Sequence, residues 1–308
     1  MRVLIAGASG FVGRRLAVAL VAEGREVVAM TRNPDRYQGA GEPVFGDVRD
    51  RGALLAAMNG CEAAFYLVHS LSEPDFARKD ASAAEDFGSA AADAGVRRII
   101  YLGGLGDDRD VLSEHLRSRR EVERLLGEAG VPVTVLRAGI IIGAGGTSWE
   151  LTRQLVDHLP VMITPKWVST RTQPIAIGDV VRYLAEVLSR PETAGRAFDV
   201  GGPEVMRYCD MLKRVAAIRG RPLPVVSVPM LTPWLSSLWL TLVTNVDPAT
   251  GRSLIDSMTN EVIVRDPAIR QLISFPLTGY DDAARAALAG RDGQQPADSR
   301  SDRDGGAA

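Results

Sequence analysis

The feature that most constrains the fold of this 308-residue chain is a glycine-rich loop close to its N-terminus. An apolar run at residues 3–6 leads into Gly7-Ala8-Ser9-Gly10-Phe11-Val12-Gly13, and a helical pattern follows. A glycine loop between a buried strand and a helix is typical of sites that bind the pyrophosphate of a dinucleotide. The glycines allow a tight turn, close approach to the anion and close packing of the helix, whose free N–H groups bind the anion. The alternative is a glycine-rich turn without a ligand.

The remainder of the first 140 residues alternates short apolar runs with Ala-rich amphipathic segments. The apolar runs predict strands at residues 3–6, 27–30, 64–68, 98–102 and 133–136. The segments between them predict helices at residues 11–23, 51–59, 76–94 and 113–129. Such alternation indicates a parallel sheet covered by helices on both faces. We therefore predict an α/β fold with a doubly wound parallel sheet of the Rossmann type over residues 1–140.

The strand–helix alternation loosens after residue 140. Helices are predicted near residues 148–158, 178–189 and 205–219, with short strands at 175–177 and 198–200. We interpret residues 141–289 as a smaller C-terminal lobe that is intertwined with the core and covers its ligand edge. Residues 290–308 contain only three apolar side chains, all alanines, and we expect a disordered tail because such a segment buries too little surface.

Composition excludes several classes of partner. The net charge of −2 leaves no electrostatic footprint for nucleic acid. Two cysteines and three histidines without metal-ligand spacing predict no metal site. The N-terminus lacks the pattern of a signal peptide, so we expect a cytoplasmic protein.

The uncharged segment 222–246 raises the question of membrane contact. Four prolines break its first half, and the unbroken part at residues 234–246 is shorter than the roughly 20 residues of a spanning helix. We therefore favour a buried or pocket-lining segment. Two earlier apolar side chains and several within this segment predict the wall of a hydrophobic ligand pocket or ordinary core packing, namely Met162, Trp167, Trp234, Leu235, Leu238, Trp239 and Leu242.

The end of the second predicted strand bears on the type of dinucleotide. A site for NAD usually has an Asp or Glu about 20 residues after the glycine loop, where it binds the ribose 2′-hydroxyl. Here the strand ends in Met30-Thr31-Arg32-Asn33, which contains no carboxylate. A guanidinium suits a 2′-phosphate because its planar donors match phosphate oxygens. Arg32 therefore favours NADP over NAD, which stays open; the alternative for Arg32 is a solvated loop side chain.

Taken together, the motifs resemble those of the extended and atypical short-chain dehydrogenase/reductases. Besides the glycine loop, the segments that carry this resemblance are residues 46–48, 66–69, 136–139, 174–180 and 200–203. Three further segments are similar to the NmrA-like, NAD(P)H-binding branch, namely residues 101–106, 115–119 and 159–165. The resemblance covers roughly residues 1–280.

This resemblance implies a cofactor site at the matching positions. The glycine loop would bind the pyrophosphate, Arg32 the adenosine phosphate, and Asp47 and Val48 the adenine. Residues 67–69 would line the ribose side, and Ile140 and Ile141 would face the nicotinamide. The predicted cofactor-binding residues are Gly7, Ser9, Gly10, Phe11, Val12, Gly13, Arg32, Asp47, Val48, Leu67, Val68, His69, Gly103, Arg119 and Ile140.

The catalytic residues of the family are replaced in this chain. Active members use Ser, Tyr and Lys, whereas the matching positions here hold Gly104, His115 and Arg119. His115 and Arg119 share a helix face at i, i+4 spacing. Arg119 can still bind a ribose hydroxyl, and His115, with an ordinary pKa near 6.5, can exchange a proton at neutral pH. The alternative for His115 is a polar residue at the surface or rim.

Three functions are compatible with these residues. The first is an NADPH-dependent oxidoreductase acting on an apolar acceptor of the quinone or carbonyl type, because the cofactor itself carries hydride chemistry. The second is a non-catalytic NADP(H)-binding sensor or an assembly protein with a protein partner. The third, a sugar-nucleotide epimerase or dehydratase, ranks last because its catalytic pair is replaced. The sequence leaves the substrate and the oligomeric state open.

Overall fold

Strand–helix alternation is present throughout the N-terminal half of the computed structural model. The structure describes residues 1–69, 75–158, 162–164, 169–221, 223–227 and 256–292. Its strands are β1 (Arg2–Ala6), β2 (Glu26–Thr31), β3 (Glu42–Phe45), β4 (Ala63–Tyr66), β5 (Arg98–Gly104), β6 (Val133–Ala138), β7 (Ile141–Ile142), β8 (Met162–Thr164), β9 (Arg171–Thr172), β10 (Ile175–Ala176), β11 (Ala197–Val200), β12 (Met206–Arg207) and β13 (Val225–Ser227).

Helices connect or flank these strands. They are α1 (Gly13–Ala22), α2 (Arg51–Met58), α3 (Phe76–Asp93), α4 (Glu114–Gly127), α5 (Thr147–His158), α6 (Ile177–Leu188), α7 (Tyr208–Ile218), α8 (Ala268–Leu272) and α9 (Tyr280–Asp292). Short 3₁₀ turns lie at Pro34–Arg36 and Pro191–Thr193.

Seven strands form one parallel sheet in the order β11-β6-β5-β4-β1-β2-β3. The strand order reverses between β1 and β4. Strands β2 and β3 follow β1 toward one edge of the sheet, whereas β5 and β6 follow β4 toward the other edge. The crevice at the carboxyl ends of the strands beside such a reversal is where open α/β sheets bind ligands. The predicted doubly wound sheet of the Rossmann type is confirmed.

Both faces of the sheet are buried. On one face, α1 and α6 pack together over a cluster that includes Ile5, Leu16 and Leu184. On the other face, α2, α3 and α4 enclose a cluster that includes Leu4, Phe87 and Leu126. Successive residues of β1 thus point into opposite cores, which explains its continuous apolar sequence.

The segment after residue 140 contributes to the sheet as well as to its own core. Strand β11 pairs with β6, and α6 packs on α1. A third apolar cluster forms around the fully buried Trp149, with side chains from α5, α7 and α9. The carboxylate of Asp179 in α6 accepts hydrogen bonds from the Thr278 amide (2.8 Å) and hydroxyl (3.0 Å), which anchors the chain before α9.

Two details of the C-terminal half differ from the sequence prediction. The helix predicted at residues 205–219 is preceded by β12 and begins at Tyr208, because Met206 and Arg207 pair with β9. Helix α9 was not predicted, and it extends to Asp292, into the segment predicted as a tail. Residues 293–308 lie outside the described residues, as do 228–246 of the uncharged segment and the side chains of the predicted apolar wall. No helix in the described ranges is long and apolar enough to cross a bilayer.

Candidate functional site

The glycine loop forms a tight turn between β1 and α1. Gly7 has a φ of 88°, and the Gly10 amide donates a hydrogen bond to the Gly7 carbonyl (2.9 Å). A Cβ at Gly13 would lie 2.2 Å from the Gly7 oxygen, so only glycine permits this approach. No side chain caps the N-terminus of α1 at Val12. The positive end of α1 is therefore directed at the loop without an internal acceptor, as an anion site requires.

A second glycine loop covers the first one. A Cβ at Gly143 or Gly146 would lie 3.0 Å or 2.9 Å from the ring of Phe11. Arg15 stacks on this ring with its guanidinium 4.7 Å from the centroid, and it donates hydrogen bonds to the carbonyls of Phe11 and Ala144 (both 2.8 Å). The sequence signal for this contact is the repeated glycine at positions 143, 145 and 146.

A pocket opens at the carboxyl ends of β1 to β4, at the predicted ligand edge. Its predicted lining residues are Gly7, Ser9, Arg32, Asp47, Val48, Val68 and His69. The sequence did not indicate the others, which are Met30, Thr31, Gly46, Arg49, Tyr66, Asp80 and Ala83. The structure thus brings together residues that are separated by up to 76 positions in the chain.

Two arginines and one carboxylate lie at the β2–β3 side of this pocket. The Asp47 carboxylate accepts hydrogen bonds from the Arg49 amide (3.0 Å), Nε (3.2 Å) and Nη2 (3.2 Å). These hydrogen bonds, together with the charges of Arg49 and Arg32, lower the pKa of Asp47. Arg32 itself is exposed. On this side of the pocket, the ionised carboxylate of Asp47 therefore lies among the positive charges of Arg32 and Arg49.

A buried ion pair lies next to the pocket. Arg119 of α4 is 6% exposed, and its Nη2 lies 3.6 Å from Oδ2 of Asp80, which is 2% exposed and lines the pocket from α3. A buried charge is stable only when it is paired. The predicted ribose contact of Arg119 remains a prediction, and the structure shows that this guanidinium is held from α3 by Asp80.

His115 lies in the first turn of α4, close to Arg119. Its side chain is half-buried, and its Nδ1 is buried without a hydrogen-bond partner among the described residues. Burial, with the charges of Arg119 and His69, lowers the pKa of His115 to about 3. The imidazole is therefore neutral at physiological pH, because this environment lowers its pKa well below the ordinary value near 6.5. The half-buried side chain is compatible with the alternative of a residue at the rim.

Gly104, which the sequence resemblance matches to the family's serine, ends β5 against α4. A Cβ there would lie 2.9 Å from Cδ2 of Leu116 and 3.4 Å from Cγ of Arg119. The space that a serine hydroxyl would need is thus largely taken by side chains of α4.

The remaining predicted residues lie at the pocket's edge or away from it. The Leu67 carbonyl lies 2.9 Å from a Cβ built on Gly7, so its backbone supports the glycine loop. Gly103 is buried in β5 beside Tyr101. Ile140 packs in the third apolar cluster with Trp149. Their predicted contacts with a cofactor stay predictions. No group of candidate metal ligands occurs among the residues that the structure covers.

Comparisons with known proteins agree with this geometry. Residues 7–190 match a protein-family model described as NAD(P)H-binding. The (4-alkanoyl-5-oxo-2,5-dihydrofuran-3-yl)methyl phosphate reductase of Streptomyces griseus is 30% identical over 233 residues, which cover 72% of this chain and 75% of that protein. The 4-hydroxy-2-methyl-3-oxo-4-farnesyl-3,4-dihydroquinoline-1-oxide ketoreductase of Stigmatella aurantiaca is 28% identical over 52% of this chain and 55% of its own length.

A solved structure shares the fold. The NADPH-dependent quinone oxidoreductase QOR2 of Escherichia coli, crystallised with NADPH, superimposes with a TM-score of 0.75 at 19% identity. The match covers 94% of this chain and 100% of that protein.

The close approach of Gly13 to Gly7 leads to a prediction for cofactor binding. Gly13→Ala should weaken NADPH binding about tenfold or more, since its Cβ displaces the Gly7 carbonyl and the loop with it. Gly178→Ala is the matched control, because a Cβ at that helical glycine has no neighbour within 4 Å. Calorimetric titration measures both, with circular dichroism to verify folding. Unchanged affinity in a folded Gly13→Ala variant would contradict the assignment of the loop.

The Asp80–Arg119 pair generates a stability prediction. Asp80→Ala leaves a buried guanidinium without this carboxylate and should lower the free energy of unfolding by about 3–5 kcal/mol. The double variant Asp80→Leu/Arg119→Met removes both charges and should recover most of that loss. Glu121→Ala, which breaks an exposed pair with Arg124, should leave the free energy of unfolding nearly unchanged. Urea unfolding measures all three; equal losses in the single and double variants would show that the charge pairing is not the cause.

Proposed function

The chain belongs to the NAD(P)H-binding family, within the atypical short-chain dehydrogenase/reductase class, and on that premise we propose that it is an NADPH-dependent oxidoreductase. Its acceptor is an apolar molecule with a quinone or carbonyl oxygen. The observation that carries this proposal is a neutral imidazole with an unsatisfied Nδ1 at the position of the family's catalytic tyrosine.

The pocket supports NADPH as the cofactor. The glycine loop and the end of α1 suit the pyrophosphate, and Arg32 suits a 2′-phosphate at a position where an NAD site would have a carboxylate. When bound, NADPH supplies the hydride for the acceptor carbon. The protein's own residues bind and orient the reactants.

His115 can polarise the acceptor without being protonated. A neutral imidazole has one N–H donor, which can hydrogen-bond the acceptor oxygen as negative charge develops there. The proton that finally reaches this oxygen comes from water, since a histidine with a pKa of about 3 carries almost no imidazolium at neutral pH. This arrangement does without the serine that Gly104 replaces.

The names of the two curated relatives described above support the reductase class, and one of them supports an apolar acceptor. Both are named reductases, and the second is named for a farnesylated quinoline oxide. The structural neighbour is named a quinone oxidoreductase. The replaced Ser, Tyr and Lys also fit the second candidate, a non-catalytic NADP(H)-binding sensor or assembly protein.

Turnover decides between these two candidates. Purified protein with NADPH should reduce at least one member of a panel of substituted quinones, aldehydes and ketones of increasing hydrophobicity. The loss of NADPH absorbance measures the rate, and the Gly13→Ala variant serves as the control for background reduction. Tight NADPH binding with no turnover across the panel would reject the oxidoreductase and favour the sensor.

His115 provides a more specific prediction. His115→Ala should lower kcat about 10²–10³-fold, the usual effect of losing one donor to a developing oxyanion, and leave the Kd for NADPH unchanged. His115→Gln keeps an N–H donor and should recover part of the rate. Because the imidazole is neutral above its folded pKa of about 3, kcat should not fall between pH 5.5 and about 8 through His115. A rate that declines as pH rises through about 6.5 in the wild type, but not in His115→Gln, would indicate an imidazolium acid instead.

A further inference from the structure

We propose that Arg49 is a second ligand for the 2′-phosphate of NADPH and that Arg32 and Arg49 together set the preference for NADPH over NADH. This inference rests on the proposed function, because it concerns the cofactor of the same site. The sequence motif by itself points only to Arg32 for this recognition.

The fold places the two arginines on neighbouring strand ends. Thr31 of β2 and Phe45 of β3 are register partners, and the Gly46 amide donates a hydrogen bond to the Thr31 carbonyl (3.0 Å). The turns that carry Arg32 and Arg49 thus start side by side at the carboxyl edge of the sheet. Both arginines line the same pocket.

Asp47 holds the guanidinium of Arg49 in a defined orientation. The carboxylate accepts from Nε and Nη2 of Arg49 at 3.2 Å each and from its amide at 3.0 Å. A guanidinium has five N–H donors in a rigid plane, so it can contact a carboxylate and a phosphate oxygen together. Although the side chain is 48% exposed, this two-point contact restricts its orientation, which lowers the entropy lost on binding.

Charge counting shows why one arginine is insufficient. A phosphomonoester carries about −1.5 to −2 charges at neutral pH. Arg32 and the ionised Asp47 alone sum to zero, so without Arg49 the carboxylate would oppose the phosphate. With Arg49 the three side chains sum to +1. Arg49 therefore supplies a donor and also masks the carboxylate beside it.

The test compares the ratio Kd(NADH)/Kd(NADPH) among variants by calorimetric titration. Arg32→Ala and Arg49→Ala should each lower this ratio about tenfold, the usual effect of one hydrogen bond to a charged group. The double variant should bring the ratio close to unity, and Arg49→Lys should retain part of it. Higher salt should lower the wild-type ratio, because the 2′-phosphate contacts are exposed to solvent.

Arg51→Ala is the matched control. Arg51 is 46% exposed, lies two positions after Arg49 and pairs with Asp93 instead of lining the pocket. Its removal changes the net charge as Arg49→Ala does and should alter the ratio less than about twofold. A drop equal to that of Arg49→Ala would show that only net charge matters, which overturns the proposal.

The remaining outcomes separate this inference from the proposed function. If Arg32→Ala abolishes the preference and Arg49→Ala does not, Arg49 only holds Asp47, and the inference is wrong while the cofactor assignment stands. If Arg49→Ala weakens the binding of NADH and of NADPH equally, the inference is also wrong, since Arg49 would then contact the adenine side of both cofactors. If the wild-type protein binds NADH and NADPH equally, both the two-arginine inference and the assignment of NADPH as the cofactor are wrong. A ratio that behaves as expected without any turnover supports the two-arginine site and rejects the oxidoreductase.

Discussion

The close approach between the start of α1 and the carbonyl of Gly7 determines where everything else in the site lies. Because Gly13 has no side chain, α1 begins in close contact with the end of β1. The free N–H groups of its first turn therefore lie beside the place where the strand order reverses. Helix α6 packs on α1 and strand β11 closes the far side of the sheet, so the second half of the chain is positioned by the same contact. The pocket at the strand ends is a consequence of this geometry.

The charges around the pocket depend on one another. Asp80 stabilises Arg119 in a buried position, and this retained cation contributes to the low pKa of His115. A lysine at the same position would be a smaller, more strongly hydrated cation and would make a different contact with the carboxylate. Asp80, Arg119 and His115 thus form one electrostatic arrangement, in which the imidazole stays neutral.

The sequence predicted those parts of the fold and site that depend on local pattern. The glycine loop, Arg32 and Asp47 each follow directly after a strand, and strand ends of a parallel sheet converge at one edge, so their shared pocket was predictable. Asp80 lies in the second turn of an Ala-rich helix, where the packing of α3 against α4 brings it to the pocket. The low pKa of His115 depends on burial and on the charge of His69 as well as on Arg119, and no local pattern indicates the first two. Arg49 had a local signal, its position two residues after Asp47, but its orientation depends on hydrogen bonds that the spacing alone does not specify.

The ring of Phe11 has a consequence for communication between the two halves of the chain. The ring lies against Gly143 and Gly146. The guanidinium of Arg15 donates hydrogen bonds to the carbonyls of both Phe11 and Ala144. The loop that would hold the pyrophosphate therefore cannot shift without displacing the turn that starts α5. A displacement at the dinucleotide loop would therefore be passed through this contact to α5 and to the apolar cluster around Trp149.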